Sequence, residues 1–133
     1  MKQNGTAIIV VAALAILLAF SGCAQQQITG EKTSFSLRVT DSSGEAVSEK
    51  LLETSTGQTV FDALKENKIN MKYEDYSIGP FITGIEGVSP QSGEYMAVYV
   101  NGKYADSGVG DLKIIGGENI EFRVEKIEGY GFS

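Results

Sequence analysis

From Ser34 onward the chain alternates, with Phe35, Leu37 and Val39 on one side and Ser36, Arg38 and Thr40 on the other. A period of two sends successive side chains to opposite faces, so this stretch predicts a half-buried strand. Asp41-Ser42-Ser43-Gly44 is turn chemistry, and a weaker strand over roughly 46–54, around Val47, Leu51 and Leu52, completes an opening hairpin. The period then changes. Val60, Ala63 and Leu64 mark one face of a short helix, capped by Thr59 and ending near Lys68. Asp62 in its first turn and Lys65 and Lys68 in its last suit the helix dipole. Val60 and Phe61 widen the apolar face, so the helix is expected to pack on a sheet. Further strands are expected over 71–77, 81–85, 95–100 and 119–126. Tyr95, Ala97 and Tyr99 would share one face, with Met96, Val98 and Val100 on the other. Asn101-Gly102 is the strongest two-residue hairpin signal in the chain. Ile120, Phe122 and Val124 should face inward against Glu121, Arg123 and Glu125. Hairpin, helix and then several strands is the order of an α+β, ubiquitin-like β-grasp, in which a four- to five-stranded sheet covers one face with one short helix.

The first residues carry a different pattern. Lys2 precedes an unbroken apolar run of 14 residues over 7–20, shorter than the roughly 18 needed to span a bilayer. It ends in Phe20-Ser21-Gly22-Cys23, which resembles the bacterial lipobox, with Phe20 where Leu is usual. The expected organisation is a lipoprotein signal peptide over 1–22, a lipidated tether over 23–33, the folded domain over 34–127 and a C-terminal tail over 128–133. Cys23 is the expected lipidation site. A plain cleaved signal or an uncleaved anchor would also place the domain outside the cytoplasm. The expected location is therefore the extracytoplasmic face of the cell membrane, with the membrane itself a partner through the lipid.

Composition narrows the function classes. The chain of 133 residues has one Cys and no His, so an exported domain cannot staple itself with a disulfide and must stand on its core. Without Lys2 the mature chain carries 10 basic and 17 acidic residues, a poor match to nucleic acid or anionic lipid. With Cys23 acylated, neither a thiol nucleophile nor an imidazole base remains. Serines lie in turns rather than in a nucleophile elbow. Glu74-Asp75, Asp106 with Asp111, and the stretch from Asp41 to Glu45 read as solvated turns, not as paired catalytic carboxylates or a calcium loop. No catalytic residue, metal site or resident cofactor is expected.

The positive feature is aromatic. The chain has six tyrosines, a residue that joins an apolar face to a hydrogen-bonding tip and suits wet binding surfaces. Tyr95 and Tyr99 share a strand face, and Tyr104 follows the hairpin that folds back beside them. The loop Tyr76-Ser77-Ile78-Gly79-Pro80-Phe81 offers a second aromatic group. The ligand-binding candidates are Tyr76, Phe81, Tyr95, Tyr99 and Tyr104, with sheet packing as the competing reading for each.

Four segments resemble the DUF4430 family. They are Gly57-Gln58-Thr59-Val60-Phe61-Asp62-Ala63-Leu64-Lys65 at the helix entry, Phe81-Ile82-Thr83-Gly84-Ile85-Glu86-Gly87-Val88 in the middle, the stretch from Tyr95 to Ala105 followed by Gly108-Val109-Gly110, and Gly117-Glu118-Asn119-Ile120-Glu121-Phe122 at the close. That family is similar to the C-terminal β-domain of transcobalamin and intrinsic factor. The resemblance implies a β-grasp and binding of cobalamin, another corrinoid or a similar small molecule for uptake, with a transporter or surface protein as partner. Two features depart from it: the chain has no Trp, where the family often has one beside the position of Met96 and another near Phe122, and Glu118 follows Gly117 where Asp is usual. The alternative function is a surface module that docks a protein or polymer without a small-molecule ligand.

Overall fold

The computed structural model describes residues 30–128; the expected signal segment, Cys23, the tether up to residue 29 and the expected tail from residue 129, with Tyr130, lie outside the described residues. Strands β1 (Lys32–Thr40), β2 (Ala46–Ser55), β5 (Glu94–Val100), β6 (Lys103–Tyr104) and β7 (Asn119–Lys126) form a five-stranded sheet in the order β2-β1-β7-β5-β6. Strands β3 (Met71–Tyr76) and β4 (Gly79–Ile85) form a separate two-stranded ribbon, and the one helix described, α1, runs Val60–Glu66. The first and last strands of the sheet, β1 and β7, pair in parallel, and every other pairing is antiparallel. The architecture is α+β, largely strand with one short helix. β1 begins inside the stretch read as tether.

Alternation decides which face is buried. Phe35, Leu37 and Val39 of β1 and Ile120, Phe122 and Val124 of β7 are all buried, beside Met96 of β5. Val60, Phe61, Ala63 and Leu64 of α1 cover them, as the widened helix face requires. Loops close the same core through Val88, Val109 and Ile114.

The helix ends are fully accounted for. Thr59 Oγ1 accepts from the Asp62 N–H at 3.1 Å. The Val60 and Phe61 N–H groups donate to the Leu112 and Val109 carbonyls at 2.7 and 3.0 Å. The first orphan donors of the helix are thus satisfied, two of them by the loop that follows β6. At the other end Lys68 takes a left-handed φ of 55°. The Ile69 N–H reaches the Leu64 carbonyl and the Lys68 N–H that of Lys65, both at 3.0 Å, which is a Schellman closure. The helix therefore stops at Glu66, before the Lys68 expected from the charge pattern.

Two turns read from sequence are present. Asp41 Oδ1 accepts from the Ser43 and Glu45 N–H groups at 2.9 and 3.1 Å, which fixes the β1–β2 turn. Asn101 and Gly102 have φ values of 52° and 80° and join β5 to β6, the left-handed pair a type I′ hairpin needs. The turn between β3 and β4 differs from expectation. Only Ser77 and Ile78 are unpaired, and Gly79, Pro80 and Phe81 already belong to β4, opposite Tyr76, Asp75 and Glu74. The Gly-Pro dipeptide that reads as a loop is the start of a strand. Proline is tolerated there because β4 pairs with one neighbour only, leaving its N position on an open side.

Candidate functional site

The five candidate aromatics fall into two groups that meet at one edge of the molecule. Tyr95, Tyr99 and Tyr104 lie on the outer face of the sheet, at or beside its β6 edge. Tyr99 is directly opposite Tyr104, and their rings pack edge to face with centroids 5.6 Å apart. Tyr76 and Phe81 sit on the β3–β4 ribbon with centroids 6.3 Å apart. The ribbon is held to the helix through Tyr73, whose ring meets Phe61 edge to face at 4.7 Å.

Between the groups lies a small cleft of about 150 Å³. Pro80, Phe81, Met96, Val98, Tyr104 and Phe122 are among the residues that line it. No charged side chain lines it. Phe81 and Tyr104, which both contribute to its lining, are 51% and 59% exposed. A larger hollow of about 550 Å³ lies elsewhere, where Ser36, Arg38, Glu49, Leu51, Asn119 and Glu121 meet. Its charged groups are already partnered: Arg38 with Glu49 at 3.3 Å and Glu121 with Arg123 at 2.8 Å.

The Tyr76 hydroxyl donates to Glu74 on its own strand, whereas Tyr95 and Tyr99 are tied to a neighbouring strand. Both hydroxyls donate to Glu125, that of Tyr95 at 3.1 Å. Arg123 lies over the Tyr99 ring with its guanidinium carbon 4.3 Å from the centroid, beside the small Ala97 with which it is registered. Arg123 also grips Glu121 with two nitrogens, at 2.8 and 3.3 Å, and Thr40 donates to the same carboxylate at 2.6 Å. These contacts occupy the two tyrosines and brace Tyr104 at the cleft. Sequence reading had no access to this network, because its partners come from β7 through a register that only the folded sheet defines. The cleft residues Pro80, Met96, Val98 and Val109 were also not singled out for binding. The one local signal was Gly108-Val109-Gly110, whose Gly110 lets that loop approach Pro80 of β4 closely.

The network has a pH signature. Burial, then the hydrogen bonds with Tyr104 and Glu125, push the Tyr95 hydroxyl well above the usual 10.0. The hydrogen bond to Glu125, then burial, push Tyr99 up as well. A group whose pKa is raised on folding contributes stability that is intact below its unfolded value and lost as pH rises through its folded one. For Glu121 burial acts upward, but the hydrogen bonds from Arg123 and Thr40 outweigh it and leave the carboxyl below 4.5. Its contribution is present above that value and lost as pH falls through the lowered one. Stability should therefore form a plateau that declines below about pH 4 and above about pH 10. In a spectrophotometric titration at least two tyrosines should ionise late, and Glu125→Gln should bring both toward the ordinary range. Unchanged phenolate titration in that variant would remove Glu125 as the partner.

The domain is α+β, with an uncharged cleft whose lining includes Phe81, Tyr104 and Phe122 and, among the described residues, no cluster of His, Cys, Asp or Glu able to hold a metal ion. The chain belongs to the DUF4430 family, a domain of unknown function, whose model matches residues 57–126. No curated protein matches. Among solved structures it is similar to haptocorrin in complex with Cbi, with a TM-score of 0.64 and 21% identity over 76% of this chain and 27% of haptocorrin's. It is also similar to a Ruminococcus gnavus ATCC 29149 protein described as a candidate metal binding protein, with a TM-score of 0.60 and 13% identity over 71% of this chain and 98% of that one. At these identities the likeness is one of fold, and the chain spans about a quarter of haptocorrin's length.

Proposed function

We propose that this chain is a lipid-anchored, extracytoplasmic binding protein, not an enzyme, that captures cobalamin, another corrinoid or a similar small molecule through the cleft between Phe81 and Tyr104. The observation that carries the reading is that cleft: uncharged inside, with the exposed aromatic residues Phe81 and Tyr104 in its lining, on a domain whose fold is similar to part of haptocorrin, which is bound to Cbi. The parallel pairing of the first and last strands, with one helix on the buried face, supports a β-grasp for this module. Cys23 would carry the lipid, and the following residues would hold the domain near the membrane, where a transporter could take the ligand over.

Size sets the terms of capture. Drug-sized ligands are usually held in pockets of roughly 300–1,000 Å³ that bury most of their surface. A cleft of about 150 Å³ can seat one edge or substituent of a corrinoid, with the ring face against Phe81 and Tyr104. Affinity of the lone domain should therefore be micromolar or weaker, and tight binding would need a second surface closing over the ligand. Thermal melting with cobinamide and with cobalamin tests this. A ligand at about 100 times its Kd raises stability by about 2.7 kcal/mol. A melting temperature that stays fixed at about millimolar ligand would sink the proposal, since mass action then leaves no useful affinity.

A second reading, a surface interaction module without a small-molecule ligand, is favoured by the tip of the β3–β4 ribbon. Ile78 is 89% exposed there, between Tyr76 and Phe81 in sequence.

A further inference from the structure

We infer that the open edge of β5, together with the cleft beneath it, takes an extended polypeptide segment from a partner, one carrying a single bulky apolar side chain flanked by basic residues. The inference goes beyond small-molecule capture and does not require it.

β5 runs for seven residues; β6 covers two, pairing Tyr99 with Tyr104 and Val100 with Lys103, and the Glu94 N–H is taken by the Gln91 carbonyl, so the uncovered stretch is the middle, around Met96. Val100 and Lys103 flank the Asn101-Gly102 turn, so they are a hydrogen-bonded pair, and alternate residues of β5 point their backbone groups toward β6. The Ala105 N–H reaching the Val98 carbonyl at 2.8 Å fixes the same parity. Stepping back by two, the N–H and C=O of Met96 point to that side as well, past the end of β6. Among the described residues, the strand pairings of Met96 are with β7 alone. An edge with unmatched backbone groups is a template for an added strand.

Beside this edge lies the uncharged cleft, into which Met96 and Val98 project their side chains. Its volume of about 150 Å³ suits one large side chain rather than a whole ligand. Backbone pairing outside and one apolar anchor inside is the arrangement by which strand addition gains both affinity and selectivity. Charge supplies the rest. Asp106 lies between the cleft residues Ala105 and Ser107, Asp75 is opposite the cleft residue Pro80, and Glu94 opens β5. Glu94 is directly opposite Lys126 on β7, so Asp75 and Asp106 carry the charge of the rim. An extended segment with lysine or arginine on either side of its anchor matches this rim.

The test uses a fluorescein-labelled peptide, KTVFVTK, titrated with the purified protein and read by anisotropy. Saturable binding is expected, weakened at least tenfold when the central phenylalanine is alanine. It should weaken similarly when the amides facing β5 are N-methylated, and weaken again when both lysines are glutamate. Ser107→Trp places an indole at the cleft mouth from an exposed loop position and should abolish binding without lowering the melting temperature. Equal binding by the N-methylated peptide, or undiminished binding by Ser107→Trp, would overturn the inference. A tenfold gain in affinity on deleting residues 129–133 would assign the edge to the chain's own tail instead. Self-association that Ser107→Trp removes would assign it to a second copy. Cobinamide should compete with the peptide if it uses the same rings. Peptide binding without cobinamide binding would leave this inference standing while removing the small-molecule reading, and the reverse result would do the opposite.

Discussion

Replacing Phe122 by alanine should cost the domain about 3–5 kcal/mol of stability, the usual penalty for deleting a buried phenyl ring. Phe122 is fully buried at the middle of β7, with Val39 of β1 on one side and Val98 of β5 on the other. Both faces of that strand's pairing depend on it, and the void it leaves is bounded by neighbours held in register by two ladders. Against the 5–15 kcal/mol of a typical domain the loss is a large fraction. Equilibrium urea unfolding should show the midpoint falling with the slope unchanged. Leu51→Ala is the control: that side chain is 77% exposed, and its removal should stay within about 0.5 kcal/mol. A Phe122→Ala loss no larger than the control's would mean that β7 is not the central strand.

The two residues also mark the limits of reading this chain from its sequence. Phe122 was legible, because Ile120, Phe122 and Val124 alternate with charges and a period of two leaves only one face for the core. The same holds for Phe35, Leu37 and Val39, and for the helix that Thr59 starts. What alternation could not supply was pairing. β1 and β7 meet in parallel although Ser36 and Asn119 are far apart in sequence, and nothing local encodes that choice. The outer face depends on it. Glu121, Arg123 and Glu125 read as a solvated row, yet they bond Thr40, Tyr95 and Tyr99 across three strands. Tyrosines that look like a ligand platform in sequence are therefore partly spoken for by the sheet. Core residues in loops were illegible for a related reason: Val109 and Ile114 are buried but stand in segments with no period to betray them. The cleft was hidden because its walls come from β4, β5 and the loop after β6, which only the docking of the ribbon brings together.

That docking turns on one close approach, and Gly110→Ala should break it at a cost of about 1–3 kcal/mol, the range for overpacking. A Cβ at Gly110 would lie 2.8 Å from Pro80 Cδ and 3.3 Å from Cγ, and neither partner has room to yield. The Pro80 ring is rigid, and the loop bearing Gly110 is pinned through the Val109 and Leu112 carbonyls to the first turn of the helix. The strain must move either the ribbon or the helix cap, so the damage should be local. Hydrogen exchange should quicken at the Phe61 and Ile85 amides while the β1–β2 ladder stays protected. Gly108→Ala is the matched control, since a Cβ there meets nothing within 4 Å and should change stability by no more than about 0.5 kcal/mol. Pro80→Ala separates steric cause from loss of glycine. If the clash with the ring is the fault, Gly110→Ala should cost much less in a Pro80→Ala background, a coupling of more than about 0.5 kcal/mol in a double-mutant cycle. Simple additivity would place the strain elsewhere. Because the same contact holds Pro80, and with it Phe81, against the loop that lines the cleft, the Gly110→Ala protein should also lose affinity for whatever the cleft holds.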